Sequence, residues 1–474
     1  MSATPPANSA RVEGAQGTPL GAATLGSVRR RLLRGSWWVT VGKVATIPLT
    51  FLINRFLAHM LRPAEMGAYF AGFTIVTVGA IAAQLGLDRA LVRFVARGIA
   101  TGQPGQARQT IRVAFTAGSI AATAVAILLV AGPGEWLSQR MFHSDLLASV
   151  IPAVAVWLLL TALQELLVET FRGFQQFKVV SVLDSLLVDS LCALTFGIML
   201  VTHAGPSVNL VIAISAAFTG IAALIGAGML VRRVRRLGTN GRLQRGEIFS
   251  MAWPVMIADL ASYLLGTGVD LLVLAAFRPL PEVALYGAAT RLLVLIGTPF
   301  RILQGVIPPI ISELHAQGKK QELERAVRSA ASLAGFPAAL VLIAFIVAGP
   351  LILSVVFTPF YRNAATILAI LSFGRLIAIY TGSAGLTLMM TGHQKAMMVL
   401  TLVMGAVSLA AGIAAAPVFG GLGVAIATTV AAITQNVLQL VLARKYVGIY
   451  TQAYLTPGPV IAFFSKKQDG ATPA

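Results

Sequence analysis

Arg62-Pro63-Ala64-Glu65-Met66-Gly67-Ala68-Tyr69 closes one apolar run and opens the next, and Arg278-Pro279-Leu280-Pro281-Glu282-Val283-Ala284-Leu285-Tyr286 does the same 216 residues on (278 against 62). Both copies keep an E-x-x-x-Y core, the second after one inserted residue. Gly173-Phe174-Gln175 recurs as Gly392-His393-Gln394 at a similar offset. Two motif pairs in register mark an internal duplication of a unit holding six apolar runs. Six spans return the chain to the side it started from, so both copies share one orientation. The pseudo-twofold axis then runs along the membrane normal, the plan of an alternating-access carrier.

The composition agrees with that plan. Apolar residues make up 57% of the 474 and charged residues 11%, with a mean hydropathy of +0.82. A soluble chain would be about a quarter charged, so a soluble globular enzyme is excluded. A spanning helix needs about 20 apolar residues. On that rule the chain has twelve spans, at 36–58, 66–87, 110–131, 147–170, 178–201, 209–231, 250–276, 283–311, 329–357, 364–390, 395–416 and 421–443. The expected fold is all-α and integral to the membrane, with two pseudo-symmetric six-helix bundles. Residues 1–28 read as a disordered cytoplasmic tail, 29–231 as the first bundle, 232–247 as a basic cytoplasmic linker and 248–445 as the second bundle. Residues 446–474 read as a cytoplasmic or interfacial tail, broken by Pro457 and Pro459.

The net charge of +19 comes from 36 Lys+Arg against 17 Asp+Glu. Most of the basic residues fall in alternate connections, whereas the opposite side carries only Arg62, Arg140, Arg278 and Arg362. The positive-inside rule therefore places both termini in the cytoplasm. The run Arg232-Arg233-Val234-Arg235-Arg236 suits anionic lipid headgroups rather than nucleic acid. The lone Cys192 allows no internal disulfide, and the five histidines show no ligand spacing, so no metal site is expected. No GxxxxGK[ST] motif is present, and no cofactor is expected. The outer connections are too short to fold as a catalytic domain.

Several motifs follow one another in a family order. Leu61 to Tyr69 is similar to L-G-P-x-E-x-G-x-Y, and Leu85-Gly86-Leu87-Asp88-Arg89-Ala90-Leu91-Val92-Arg93-Phe94-Val95-Ala96 resembles a G-L-x-x-A-x-x-R-x-x-A loop. Arg172-Gly173-Phe174-Gln175 fits an R-G-x-Q turn. Trp253-Pro254, Val269-Asp270, Tyr286-Gly287-Ala288-Ala289-Thr290-Arg291 and Pro308-Pro309 continue the order. Over roughly 30–445 the chain resembles the polysaccharide flippases of the MOP exporter superfamily, of the O-antigen (Wzx) type, relatives of MATE transporters and lipid II flippases. Ala284 stands where the family usually has Gly. The resemblance implies transbilayer movement of a polyprenyl-diphosphate-linked oligosaccharide for lipopolysaccharide, O-antigen or exopolysaccharide assembly. It implies no covalent chemistry, so the chain is not expected to be an enzyme. It also implies the bacterial cytoplasmic (inner) membrane, with membrane lipids and a polysaccharide polymerase machinery as partners.

A charge at bilayer depth costs about 3 kcal/mol on the insertion scale and needs a reason. Five bases lie within spans: Lys43, Arg55, Arg291, Arg301 and Arg375. A guanidinium fork binds phosphate oxygens bidentately, so these form a candidate substrate-binding ladder for a diphosphate along a basic central cavity. Arg55, near a span end, can also snorkel. Among the acids, Glu165 and Glu169 lie one turn apart and are placed to pair with Arg172 or Lys178. Asp259 and Asp270 sit deeper and are candidate ion-coupling residues, for proton or sodium. The repeat offset sets Lys43 on Asp259 and Asn54 on Asp270, which would put Lys43 and Asp259 across the cavity. The rival expectations are a MATE-like antiporter of organic cations, whose cavity should be acidic and aromatic, and a lipid II flippase, which generally has fourteen spans.

Overall fold

The computed structural model describes residues 42, 44–131, 144–238, 245–264 and 268–454, with 295–306 described by their backbone alone. Lys43, the side chain of Arg301, the tail 1–28 and the chain from 455 onward lie outside the described residues. Every described element is helical. In the first half these are α1 (Val44–Met60), α2 (Pro63–Gln84), α3 (Leu87–Ala100), α4 (Pro104–Ala131), α5 (Asp145–Gly173), α6 (Phe177–Val201) and α7 (Val208–Val234). The second half has α8 (Arg245–Leu264), α9 (Asp270–Phe277), α10 (Leu280–Ala316), α11 (Lys320–Val356), α12 (Ala365–Thr381), α13 (Ala384–Met390) and α14 (Gln394–Tyr446). Eight helical stretches among the described residues are long and apolar enough to cross a membrane, α12 among them when joined to the 3-10 turn Pro359–Ala364 before it. The chain is a multi-pass membrane protein.

The duplicated motif is a helix start. Pro63 opens α2 where its missing N–H costs nothing, and the Glu65 carboxylate accepts the Arg62 N–H at 2.9 Å. In the second copy, Glu282 takes the Arg278 guanidinium at 2.7 Å and also accepts the Gly421 N–H at 2.6 Å. Gly421 follows the bend in α14, where Gly420 has φ 57° and splits the helix into the two expected spans. One acid thus starts α10 and tethers the last span.

Three expected elements take a different form. The inner segment after span 2 contains α3, an amphipathic helix whose buried residues are Leu87, Ala90, Leu91, Phe94, Val95 and Gly98, one face at helical spacing. Its opposite face carries Arg89 and Arg97 to solvent. Span 7 comes as α8 and α9, with 265–267 between them outside the described residues. Span 10 breaks into α12 and α13 at Gly382, whose φ of 73° leaves the helix, and only a glycine fits there, since a Cβ would lie 2.2 Å from Thr451 O. Residues 447–454 form a strap over this break. Val447, Ile449 and Thr451 point inward alternately, Thr451 Oγ1 donates to Thr381 O, and Ala453 N donates to Tyr380 O. These bonds satisfy carbonyls that the interrupted helix leaves open.

At the Arg62 and Arg278 end, both halves share one hydrophobic core, which runs from Leu57, Met66 and Phe70 to Val283, Tyr286, Leu353 and Phe357. Gly67 and Gly287 permit this closeness: a Cβ on Gly67 would meet Leu280 O at 2.0 Å, and one on Gly287 would meet the Phe70 ring at 2.2 Å. At the opposite end the cores separate. One gathers α3, α4, α5 and α7 with the start of α8, and another gathers α10, α11 and the strap. The halves are therefore joined through one core at one end; at the other, α8 packs on α3 of the first half, with Arg97 paired to Glu247 at 3.2 Å, while α10, α11 and the strap keep a core of their own.

Candidate functional site: a two-walled central cavity

Between the halves lies a cavity of about 590 Å³. Its first-half wall comes from α2, α5 and α6 and carries Glu165, Asp184 and Asp189; the second-half wall carries Arg291 from α10 and Arg375 from α12. A second cavity of about 270 Å³ lies inside the second half, between α10, α12 and α14. Thr290, Val294 and Arg375 line both, so the two spaces adjoin there.

Arg291 is set by the duplicated motif: Tyr286 fixes the start of α10, and Arg291 follows it by five residues, on the side facing α2. Its guanidinium lies 4.1 Å from the centre of the Phe73 ring and 5.6 Å from that of Phe70. A cation over an aromatic face is attracted by the ring quadrupole, worth about 2 kcal/mol when desolvated. Among the described residues Arg291 has no ion-pair partner. A stacked, unneutralised guanidinium keeps its hydrogen-bond fork for an incoming anion. Arg375 is exposed to both cavities.

The acids have mixed surroundings. Glu165 accepts a hydrogen bond from the Gln84 amide, and Glu169 pairs with Arg172 at 2.6 Å, one of the partners expected for it. Asp184 sits on a π-helical turn, Val182–Leu186, inside α6, and Thr50 donates to Asp189 at 3.5 Å. Three carboxylates therefore line a cavity expected to be basic. The sequence showed these acids but not that α5 and α6 turn them to the same space.

Of the other expected site residues that are described, Arg55, Asp259 and Asp270 do not enter this lining. Arg55 donates to the carbonyl oxygens of Val355 and Val356, where α11 ends, tying the first span to the second half. Asp259 faces Arg89 of α3 at 3.8 Å, and its expected counterpart Lys43 lies outside the described residues, as does the Arg301 side chain. Asp270 is buried where three helices meet, accepting from Tyr286 Oη at 2.6 Å and Thr428 Oγ1 at 3.0 Å. Asn54, its repeat counterpart, turns back on its own helix to Thr50 O at 2.7 Å. Among the described residues no three His, Cys, Asp or Glu side chains group as a metal site.

Sequence reasoning missed a polar stripe on the last span. Thr428, Gln435, Asn436 and Gln439 line the smaller cavity together. Their spacing of seven, eight and eleven residues is one helix face. That period was visible in the sequence, but a search for charge passes over amides.

The sequence model of the polysaccharide biosynthesis protein family matches residues 32–315. No curated protein matches the chain. Among solved structures, an inward-facing multidrug resistance MATE family transporter of the MOP superfamily aligns at 15% identity with a TM-score of 0.70, covering 85% of this chain and 94% of that one. The lipid II flippase MurJ, inward closed, aligns at 13% identity and TM-score 0.59, covering 92% and 93%. A MOP superfamily transporter from Pyrococcus furiosus, described with a binding pocket of reverse polarity, aligns at 13% identity and TM-score 0.56, covering 88% and 95%. With an all-helical multi-pass architecture of the MOP type and a family model that covers more than half of its length, the chain belongs to the polysaccharide biosynthesis protein family.

Proposed function

We propose that the protein is a flippase that carries a polyprenyl-diphosphate-linked oligosaccharide from the cytoplasmic to the outer leaflet of the bacterial cytoplasmic membrane, for surface polysaccharide assembly. The observation that carries this reading is Arg291, which stacks on Phe73 and faces the cavity with no carboxylate partner among the described residues. Arg375 stands on the same wall, so a diphosphate entering the cavity meets two guanidinium groups. The basic connections support a reading with both termini, and the end where α10, α11 and the strap keep a separate core, on the cytoplasmic side. Substrate enters there, while the shared core closes the outer end. Translocation makes and breaks no covalent bond. Asp270, which links α9, α10 and α14 through two hydroxyls, is the first candidate for ion coupling; Asp259, beside Arg89, is the second. The lipid-linked product would pass to polysaccharide polymerase machinery.

A second reading has an observation of its own. Glu165, Asp184 and Asp189, with Trp157, give the first-half wall the acids and an aromatic ring that an organic-cation antiporter would use, and Tyr263 of α8 adds a second ring to the lining. Proteoliposomes holding the purified protein separate the two. The flippase reading expects protein-dependent movement of a polyprenyl-diphosphate oligosaccharide between leaflets, and an imposed proton or sodium gradient shows whether it is coupled. Organic-cation uptake without lipid movement would overturn it.

A further inference from the structure

We infer that the smaller cavity of the second half is a saccharide-reading subsite, which takes the sugar next to the diphosphate; this rests on the flippase reading above. The place follows from adjacency. Arg375 lines both cavities, so a diphosphate held between Arg291 and Arg375 leaves its first sugar facing the smaller space. That space is about 270 Å³, room for one sugar ring.

The chemistry of the lining fits neutral hydroxyl groups. An amide side chain carries two N–H donors and an acceptor oxygen with two lone pairs. Gln435 uses one donor on Thr401 Oγ1 at 3.3 Å, and Asn436 uses one on Ala432 O at 2.7 Å while its Oδ1 accepts from Thr381 Oγ1 at 3.5 Å. Gln439 has no hydrogen-bond partner among the described residues. Most of this capacity is unspent among the described residues, and such amides suit a polar occupant. Sugar hydroxyls donate and accept at once, as amides do. An ion is a poorer match: among the described residues Arg375 is the only charged one in the lining, and the Asp270 carboxylate is held by Tyr286 and Thr428. Gly374 and Ala378 keep the facing wall of α12 low, and Met404 and Leu293 supply apolar contact for a C–H face.

The test uses two lipids on the reconstituted full chain: the lipid-linked oligosaccharide extracted from cells that make it, and polyprenyl diphosphate without sugar. Replacing Gln435→Met and Gln439→Met together keeps side-chain volume and removes the amides. The subsite predicts at least a ten-fold loss of affinity for the glycan lipid and less than a two-fold change for the bare diphosphate. An equal loss for both, or no loss for either, overturns it. Wild-type protein that binds neither lipid overturns the flippase reading and this one with it, whereas a subsite failure alone leaves wild-type binding intact. Ser408→Cys gives a second readout that does not depend on the methionine variants folding, since Ser408 lines the same cavity and Cys192 is buried. The glycan lipid should slow alkylation of the new thiol several-fold and the bare diphosphate should not; equal rates with both lipids contradict the subsite.

Discussion

The two walls of the central cavity differ in how they hold polar groups inside a membrane. The first half places Glu165, Asp184 and Asp189 on α5 and α6, whereas the second half pairs two arginines with a stripe of neutral amides on α14. The duplication supplied the same scaffold twice, since Pro and Glu start both α2 and α10, but the chemistry grafted on it diverged. Asn54 and Asp270 show this at one position: the first bonds its own helix and the second ties three helices together. Repeat symmetry fixes where side chains project, and the individual substitutions decide what each wall can bind.

The sharpest way to break this contrast is Arg291→Ala. It removes the stacked guanidinium, and the loss of a charge-assisted contact of about 1.5–3 kcal/mol should lower glycan-lipid flipping ten-fold or more. The amount of protein in the membrane should stay normal, measured by quantitative blotting of the same vesicles; unchanged flipping would remove Arg291 from the anion site. Gly67→Ala tests the end that holds the walls together. Its Cβ would fall on Leu280 O, so overpacking of about 1–3 kcal/mol should lower the thermal midpoint of the detergent-purified protein. Tyr286→Phe takes one donor from Asp270 and should cost about 1–2 kcal/mol by the same measurement, with α9 and α14 less firmly held. The smallest effect is expected from Glu165→Gln, which can still bond Gln84. Flipping should change by less than about three-fold, while an organic-cation antiporter would lose its uptake.

Much of the fold was legible because hydrocarbon imposes one rule on every span. Length and apolarity located the runs that became α2, α4, α5, α6 and α7, and the repeat placed α10 opposite α2. What the runs did not reveal were interruptions. Gly382 looks like any intramembrane glycine until the strap brings Thr451 O against it, and that contact joins residues about seventy apart in sequence. The amphipathic α3 was hidden because its Arg-rich face, read alone, looks like a connecting loop.

The site was less legible than the fold. Arg291 and Arg375 stood out as charges at bilayer depth, and the structure places both in the cavity lining. Arg55 stood out in the same way yet serves carbonyl groups at the end of α11. Charge alone does not say which face of its helix a residue occupies. Gln435, Asn436 and Gln439 carry no charge, and only their shared helix face betrays them.

The central claim is that an anionic lipid headgroup occupies the space between the two walls. A polyprenyl diphosphate with a photoreactive group beside the phosphate, activated in proteoliposomes and mapped by mass spectrometry, tests this most directly. The account predicts labelled peptides from α10 around Arg291 and from α12 around Arg375, suppressed by excess unlabelled glycan lipid. Labels confined to the lipid-facing surfaces of α4, α7 and α11, undiminished by competitor, would contradict it.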